Sequence, residues 1–225
     1  MQLPENPPRR RSERTRARIL SAAERVFARD GFDGARLEDV AQGAGLRRAS
    51  IVYYFRDKRE LYEAVLAQLF SELRERIDAA LGGAGEPAER IEAAVGAWVD
   101  FVGERPALAR LLLREVAATQ PDREPAMLAQ VRPFFELVRR FLARAARERP
   151  VGAPSVDPVH LAATIAGATL FFIAALPSLV PQMGIDPLSP TQLGRHRRAV
   201  LLVTRRLLGI EDGAAVQGGE RWTSR

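Results

Sequence analysis

The sequence predicts an all-α protein of 225 residues. Apolar residues recur at helical spacing along nearly the whole chain, and no alternating pattern of useful strand length interrupts them. Stretches that contain glycine and proline, such as GGAGEP, ERP and TQPDREP, separate the periodic segments and act as helix breakers. We therefore predict a small helical unit at the N-terminus followed by a larger helical body.

The first three segments predict three short helices around one core. A helix over 16–30, ending near Gly31, has apolar residues at i, i+3, i+4, i+7 and i+8: Ile19, Ala22, Ala23, Val26 and Phe27. A shorter segment repeats this spacing and stops at Gly45, with Leu37, Val40, Ala41 and Ala44. The next segment places Ile51 and Phe55 on one face, so the three helices can share these side chains as a core.

Six longer periodic segments follow and predict the helical body. They cover 57–81, 87–103, 106–118, 126–148, 157–180 and 190–208. The start of the chain is rich in proline and arginine and buries too little apolar surface to fold alone, so we expect a disordered basic arm over 1–14. Residues 210–225 are expected to form a flexible tail.

The composition excludes several classes of chemistry. The chain has no cysteine, so it has neither disulfides nor thiolate metal sites. His160 and His196 lie far apart without a cluster of other ligands, and we predict no metal site and no cofactor. We find no Ser/His/Asp arrangement, no glycine-rich phosphate loop and no paired carboxylates with a mechanism, so an enzyme is not predicted. The N-terminus lacks the apolar run of a signal peptide, which favours a cytoplasmic location.

Positive charge is concentrated at the N-terminal end. Residues 1–60 contain 14 Lys and Arg against 9 Asp and Glu, a net charge of +5 out of +6 for the whole chain. A basic segment joined to a nearly neutral body indicates an anionic partner at one end. The alternative is an arginine-rich composition with no such partner, since arginine outnumbers lysine 33 to 1.

The segment 37–56 has the spacing of a helix-turn-helix motif. Small Ala41 lets the two helices approach each other, and Gly45 supplies the unusual backbone angle of the turn. The first turns of the second helix then point outward, where such motifs enter the major groove, so Arg47, Arg48 and Ser50 are placed to meet DNA. Tyr53 and Tyr54 can offer hydroxyls to phosphate; alternatively, they fill the core.

A longer run, from Thr15 to Leu66, contains GF at 31–32, LEDVAQGAGL at 37–46 and SIVYYFRDKRELYEAVL at 50–66. This run resembles the DNA-binding domain of the tetracycline-repressor (TetR) family of bacterial transcription regulators. The resemblance implies phosphate contacts from Tyr53 and from Lys58, the only lysine, and base contacts from Arg48, Ala49 and Ser50. It divides the chain into a DNA-binding domain over 15–58 and a regulatory and dimerisation domain over 59–209.

The chain departs from the family at the two helix starts. Ala35, Arg36 and Arg47 stand where members usually have Ser or Thr, so neither helix of the motif has its usual side-chain cap. Arginines at these positions could reach phosphates instead. The predicted DNA-binding residues are Arg36, Arg47, Arg48, Ala49, Ser50, Tyr53, Tyr54 and Lys58.

The stretch Leu161–Val180 contains twenty residues without a charge. It is long enough to span a membrane, but a helix that is apolar on all sides can also lie buried in an oligomer, which we favour. The resemblance implies a homodimer in which the last two long helices form a four-helix bundle, with Leu170 in the interface. The final helix has a matching apolar stripe: Leu193, Val200, Leu201 and Leu208.

The resemblance also implies a ligand cavity among the central helices. Candidate lining residues are Trp98, Phe101, Met127, Phe134, Phe135, Val138, Phe171 and Phe172. The alternative for each is ordinary core packing. The sequence thus predicts a homodimeric repressor that binds a palindromic operator in double-stranded DNA and is released by a small molecule. The other hypotheses are a non-specific nucleic-acid-binding protein and a helical enzyme.

Overall fold

The computed structural model describes residues 7–118, 128–147 and 157–209, which form helices and turns with no strand among them. The main helices are α1 (Pro7–Gly34), α2 (Leu37–Ala44), α3 (Arg48–Tyr54), α4 (Lys58–Leu81), α5 (Pro87–Glu104), α6 (Pro106–Ala118), α7 (Leu128–Arg147), α8 (Pro158–Leu170), α9 (Leu176–Leu179) and α10 (Pro190–Leu208). The predicted all-α fold is confirmed. The predicted tail over 210–225 lies outside the described residues.

Helix α1 begins earlier than the sequence predicted. It starts at Pro7, so residues 7–14, which we expected to be disordered, are helical in the structure. Arginine and glutamate favour helix, and extending an existing helix costs far less free energy than nucleating a new one. The helix bends at Gly31, whose φ of 74° and ψ of 179° leave the helical region. The predicted end near Gly31 corresponds to this bend.

Helices α1, α2 and α3 form the head of the molecule. Ile19, Val40, Ile51 and Phe55 are all buried between them, as the apolar spacing predicted. Helix α4 leaves the head and continues into the body. Its start is fixed by Asp57, whose carboxylate accepts a hydrogen bond of 2.8 Å from the Glu60 N–H. This bond is the main reason why the pKa of Asp57 lies below its ordinary value.

Helix α10 packs against α5 of its own chain. A Cβ atom at Gly103 of α5 would lie only 2.5 Å from the Leu193 side chain, so the small residue is needed for this close approach. Val200 and Leu208 are buried, and Leu193 and Leu201 are partly buried against the same core. The predicted stripe on α10 therefore faces its own subunit, and the exposed apolar residues of α10 are Leu202 and Val203.

The predicted helix over 157–180 is interrupted. A π-helical turn, Phe171–Ala175, separates α8 from α9. Val159–Leu179 is long and apolar enough to cross a membrane, and only 22% of it is buried within the chain. Leu170, which we expected in a dimer interface, lines an internal cavity instead. Its neighbour Phe171 is the exposed side chain at this point.

Candidate nucleic-acid interface and apolar cavity

The turn between α2 and α3 has the backbone geometry of a helix-turn-helix. Gly45 adopts the left-handed region with a φ of 63°, and its N–H donates to the Gln42 carbonyl at 3.0 Å. The Leu46 N–H donates to the Ala41 carbonyl at 2.9 Å, which completes the glycine-dependent end of α2. A residue with a side chain would be strained at Gly45.

Two arginines of α1 hold the end of α2 in place. The Arg18 guanidinium donates to the Ala44 carbonyl, and Arg25 donates to the Gly43 carbonyl at 3.3 Å. These positive groups lie where the carbonyls at the end of a helix carry partial negative charge. Sequence reasoning counted these arginines only as part of the basic charge of the head and missed this role, which depends on how α1 crosses α2.

The first turn of α3 presents its side chains to solvent. Arg47, Arg48 and Ala49 are exposed and Ser50 is partly exposed, whereas Ile51 is completely buried. Arg48 also forms an ion pair of 3.0 Å with Glu38 of α2, in which both side chains are more than half exposed. Such an exposed pair is weak, so the guanidinium can exchange Glu38 for another acceptor at little cost.

The two tyrosines of α3 have different environments. Tyr53 is 83% exposed, whereas Tyr54 is partly buried and packs against the core. Their rings meet edge to face with centroids 5.2 Å apart. The arrangement leaves the Tyr53 ring available to a partner, and it supports core packing as one role of Tyr54.

Lys58 makes contacts that the sequence did not predict. Its Nζ atom donates to the carbonyls of Asp33 and Ala35, both at 3.1 Å, and lies 4.7 Å from the centroid of the Phe32 ring. The ammonium group thus joins the start of α4 to the turn between α1 and α2. This role requires the three-dimensional proximity of residues that are more than twenty positions apart.

Arg36 and Arg47 occupy the positions immediately before α2 and α3. Neither side chain caps the helix that follows, which confirms the missing caps inferred from the sequence. Both residues are exposed. The start of α2 instead has Glu38 and Asp39 in its first turn, where negative charge interacts favourably with the helix dipole.

The body contains a cavity of about 330 Å³. Side chains from α4, α5, α6, α7 and α8 line it: Phe70, Ile77, Leu81, Ile91, Ala94, Val95, Trp98, Leu112, Leu113, Val116, Val131, Phe134, Phe135, Val138, Leu161, Ala162, Ile165, Ala166 and Leu170. None of these side chains carries a charge. The buried Trp98 indole N–H has no hydrogen-bond acceptor among the described residues.

Half of the predicted cavity residues are found in its wall. Trp98, Phe134, Phe135 and Val138 line the cavity. The other predicted residues are not found in the wall: Phe101, Phe171, Phe172 and Met127. Phe101 is fully buried below the Arg76 guanidinium, and Phe171 is exposed. Phe172 stacks on the His196 ring with centroids 4.3 Å apart, and Met127 lies outside the described residues. The sequence identified large apolar residues, but helical spacing does not distinguish a filled core from the wall of a cavity.

Polar contacts join the head to the body on the side of α6. Arg105, at the corner between α5 and α6, donates to both carboxylate oxygens of Glu24 in α1, at 3.1 and 2.6 Å, and to Glu72 of α4 at 2.7 Å. The Tyr62 hydroxyl donates to Glu115 of α6 at 2.6 Å. Burial, reinforced by this carboxylate, raises the pKa of Tyr62 well above its ordinary value, so the hydroxyl remains a donor.

Arg114 of α6 adds a further contact, because its guanidinium donates to the Arg29 carbonyl in α1 at 2.8 Å. Leu112, Leu113 and Val116 of the same helix line the cavity. Helix α6 therefore contacts the cavity with one set of side chains and the head with another.

The molecule combines a helix-turn-helix head with an all-helical body that contains an apolar cavity. This combination is typical of ligand-responsive, DNA-binding regulatory proteins. Residues 19–65 match the bacterial regulatory proteins of the tetR family, and residues 87–203 match the tetracyclin repressor-like C-terminal domain. The second match alone covers more than half of the chain. The protein therefore belongs to the TetR family, as the residues of the head indicated.

Individual relatives share either part of the sequence or the whole fold. The HTH-type transcriptional activator FasR of Mycolicibacterium smegmatis is 33% identical over 112 residues, which are 50% of this chain and 51% of that protein. The match thus spans about half the length of this curated relative.

Two solved structures share the fold over most of both chains. The transcriptional regulator FadR from Bacillus subtilis in complex with stearoyl-CoA has a TM-score of 0.63 and 16% identity, covering 84% of this chain and 96% of FadR. AibR in complex with isovaleryl coenzyme A and operator DNA has a TM-score of 0.65 and 14% identity, covering 86% of this chain and 98% of AibR. FadR is thus a transcriptional regulator, and AibR binds operator DNA.

Proposed function

We propose that the protein is a cytoplasmic, homodimeric repressor that binds a palindromic operator and is released when a small molecule with an apolar body enters the cavity. The observation that carries the DNA-binding part is the exposed first turn of α3. Arg47, Arg48 and Ala49 face solvent there, beside a fully buried Ile51 that fixes the orientation of the helix. An exposed, basic first turn supports entry into the major groove.

The DNA-binding residues are proposed to have two roles. Arg48 reads a base, since a guanidinium at this position can reach the O6 and N7 atoms of a guanine, with Ala49 and Ser50 beside it. Tyr53, Tyr54 and the arginines at 36 and 47 contact phosphate and fix the register. Lys58 holds the turn that precedes α2 and directs its remaining N–H toward the backbone of the DNA.

Dimerisation is supported by the apolar side chains that the single chain leaves uncovered near its C-terminal end. The exposed ones in α8 to α10 include Val159, Phe171, Leu179, Met183, Leu202 and Val203. Large apolar surfaces are usual at protein interfaces and rare on monomers, so these exposed side chains support a dimer contact. A two-fold dimer presents two copies of α3, which fits a palindromic operator.

The effector part is supported by the cavity and by its connection to the head through α6. The cavity offers carbon side chains on every described side, so a molecule with an apolar body fits it. The complexes of FadR with stearoyl-CoA and AibR with isovaleryl coenzyme A support an acyl compound as the type of effector.

In vitro selection of bound DNA followed by binding titrations tests the DNA-binding proposal. We expect a palindromic consensus that binds at least a thousandfold more tightly than random duplex at the same salt concentration. Arg48→Ala should cost on the order of 1–3 kcal/mol on the selected site and have little effect on random DNA. Equal affinity for both DNAs would indicate a non-specific nucleic-acid-binding protein.

A reporter gene behind the selected site tests the direction of regulation. We expect lower expression when the protein is present and recovery when an acyl compound is supplied. The relative FasR is named as an activator. If expression rises when the protein is present, the protein is an activator, and repression is contradicted while the DNA-binding proposal is unaffected.

A further inference from the structure

We propose that the cavity selects a linear aliphatic chain by its length and leaves an anionic head group outside, in the gap between α6 and α7. This inference rests on the proposed function, because it takes the occupant of the cavity to be the effector. It names the chemistry of that effector and the residues that set the chain length.

The cavity is long along α4. Its lining residues on that helix extend from Phe70 to Leu81, which is eleven residues and about 16 Å at 1.5 Å per residue. A volume of about 330 Å³ over that length leaves a cross-section of roughly 20 Å², enough for one chain whose carbons keep contact distances of about 4 Å from the wall. This shape suits an extended hydrocarbon chain.

The two ends of the cavity differ in exposure. Leu81 and Ile91 lie at the end remote from the head and are each only 7% exposed. Val116 and Phe135 are 66% and 40% exposed, and they belong to α6 and α7. Since Glu115 of α6 contacts Tyr62 near the start of α4, this open end is the one nearer the head. A chain enters between α6 and α7 and ends against Leu81 and Ile91.

Two arginines of α7 share the helix face of Phe135 at the open end. Helices α6 and α7 contain seven arginines and two glutamates, a net charge of +5. Arg132 and Arg139 lie three residues before and four residues after Phe135, on the same face of α7. Arg139 pairs with Glu136 at 2.8 Å, but both side chains are more than half exposed, so the guanidinium can exchange this partner for another anion at little cost.

The wall excludes a charged head from the interior. Burying a charge among carbon side chains is strongly unfavourable without a partner, and none of the described residues that line the cavity is charged. An anionic group can instead remain at the open end, close to Arg132 and Arg139 of α7. The ligand is therefore an amphipathic anion, such as a fatty carboxylate or an acyl thioester with phosphates.

Tryptophan fluorescence can report binding directly. The chain has two tryptophans, and Trp222→Phe leaves Trp98 in the cavity wall as the only one. We would titrate this protein with saturated fatty acids of about 6 to 18 carbons in even steps, with their coenzyme A thioesters and with the matching primary alcohols. The comparison of acids with thioesters identifies the source of the head group.

The affinity should rise about fourfold for each added methylene, the increment for burying one such group. Each carbon–carbon bond of about 1.5 Å advances an extended chain by about 1.25 Å, so the rise should stop near 12 or 13 carbons. Alcohols should bind more weakly than acids of equal length. An affinity that does not depend on chain length would overturn the proposal.

Substitutions at the closed end should move this limit. Ile91→Ala lengthens the cavity and should raise the preferred length of the aliphatic chain by about 1–3 carbons. Ala94→Leu fills part of the cavity and should lower this preferred length by a similar number. Val116→Ala at the open end is the matched control and should leave the limit unchanged. If both closed-end variants keep the preferred length of the unchanged protein, the aliphatic chain of the ligand does not end at α5.

The head group is tested on α7. Arg139→Ala should weaken binding of the acids and leave the alcohols unchanged, while Arg140→Ala, turned about 100° away on the same helix, should change neither. DNA binding is measured on each protein in parallel. A protein that binds its selected DNA but no aliphatic anion refutes this inference alone, whereas one that binds no DNA refutes the proposed function.

Discussion

Replacing Arg105 with methionine should weaken the connection between head and body. The guanidinium forms a two-pronged contact with Glu24 of α1 and a second contact with Glu72 of α4. The hydrogen bond to Glu24 is the main reason why the pKa of Arg105 is raised, so the side chain stays charged. Methionine keeps much of the aliphatic part of the side chain and removes all of these polar contacts.

The expected loss of stability follows from the partial burial of the three groups. Arg105 is 28% exposed, Glu24 is 13% exposed and Glu72 is 34% exposed. Breaking a buried pair costs about 3–5 kcal/mol, and losing an exposed pair costs about 0–1 kcal/mol. We therefore expect Arg105→Met to lower the free energy of unfolding by about 2 kcal/mol. For a chain of this length, that corresponds to a decrease in Tm of about 4–8 °C.

Thermal unfolding followed by circular dichroism measures the effect, with Arg76→Met as the control. Arg76 pairs with Glu104 at 2.7 Å, and both side chains are roughly half exposed, so the control should lose no more than about 1 kcal/mol. The reasoning is refuted if the two variants lose equal stability. In that case the contacts of Arg105 would be as weak as an ordinary surface ion pair.

Three other substitutions test separate parts of the structure. Lys58→Ala should lower the stability of the head by about 1 kcal/mol, because two carbonyls lose their donor. It should also weaken binding to selected and random DNA alike. Unchanged stability in thermal unfolding would contradict the contacts seen for Nζ. Phe171→Glu should convert the dimer to monomer in sedimentation experiments, since the charge would enter an apolar interface, and a variant that stays dimeric would exclude this face. Burial lowers the pKa of His196 below its ordinary 6.5, so the unfolded chain binds the extra proton and stability should fall as the pH drops from 6.5 toward the folded pKa. Thermal unfolding should show that His196→Gln reduces this dependence, and an equal change in exposed His160→Gln would contradict the assignment.

The helices and their order could be predicted from the sequence because both signals are local. Apolar spacing defines a helical face, and glycine or proline ends the segment, as Gly45 does for α2. The extension of α1 to Pro7 was missed because an exposed arginine-rich helix has no apolar face to detect. The π-helical turn at Phe171–Ala175 was missed because apolar spacing gives no signal for a single altered turn.

What covers an apolar face could not be predicted. The stripe on α10 was correctly identified as apolar, yet Val200 packs within its own chain rather than against a second subunit. Leu170 was assigned to the dimer interface and lines the cavity. In both cases the periodicity identifies which side chains avoid water, and only the packing of distant helices decides which surface they meet.

The position of α6 gives a physical reason why an occupied cavity should affect the head. Leu113 and Val116 line the cavity, while Arg114 and Glu115, on the same turn, bind Arg29 of α1 and Tyr62 of α4. A helix moves as a unit because its backbone hydrogen bonds hold successive turns together. A ligand that displaces the cavity-lining side chains of α6 therefore also displaces the donors and acceptors on its other side. Since these contacts hold α1 relative to the body, the orientation of α3 depends on where α6 lies. If the ligand binds more tightly to one position of α6 than to another, the difference between the two binding free energies is available to change DNA binding.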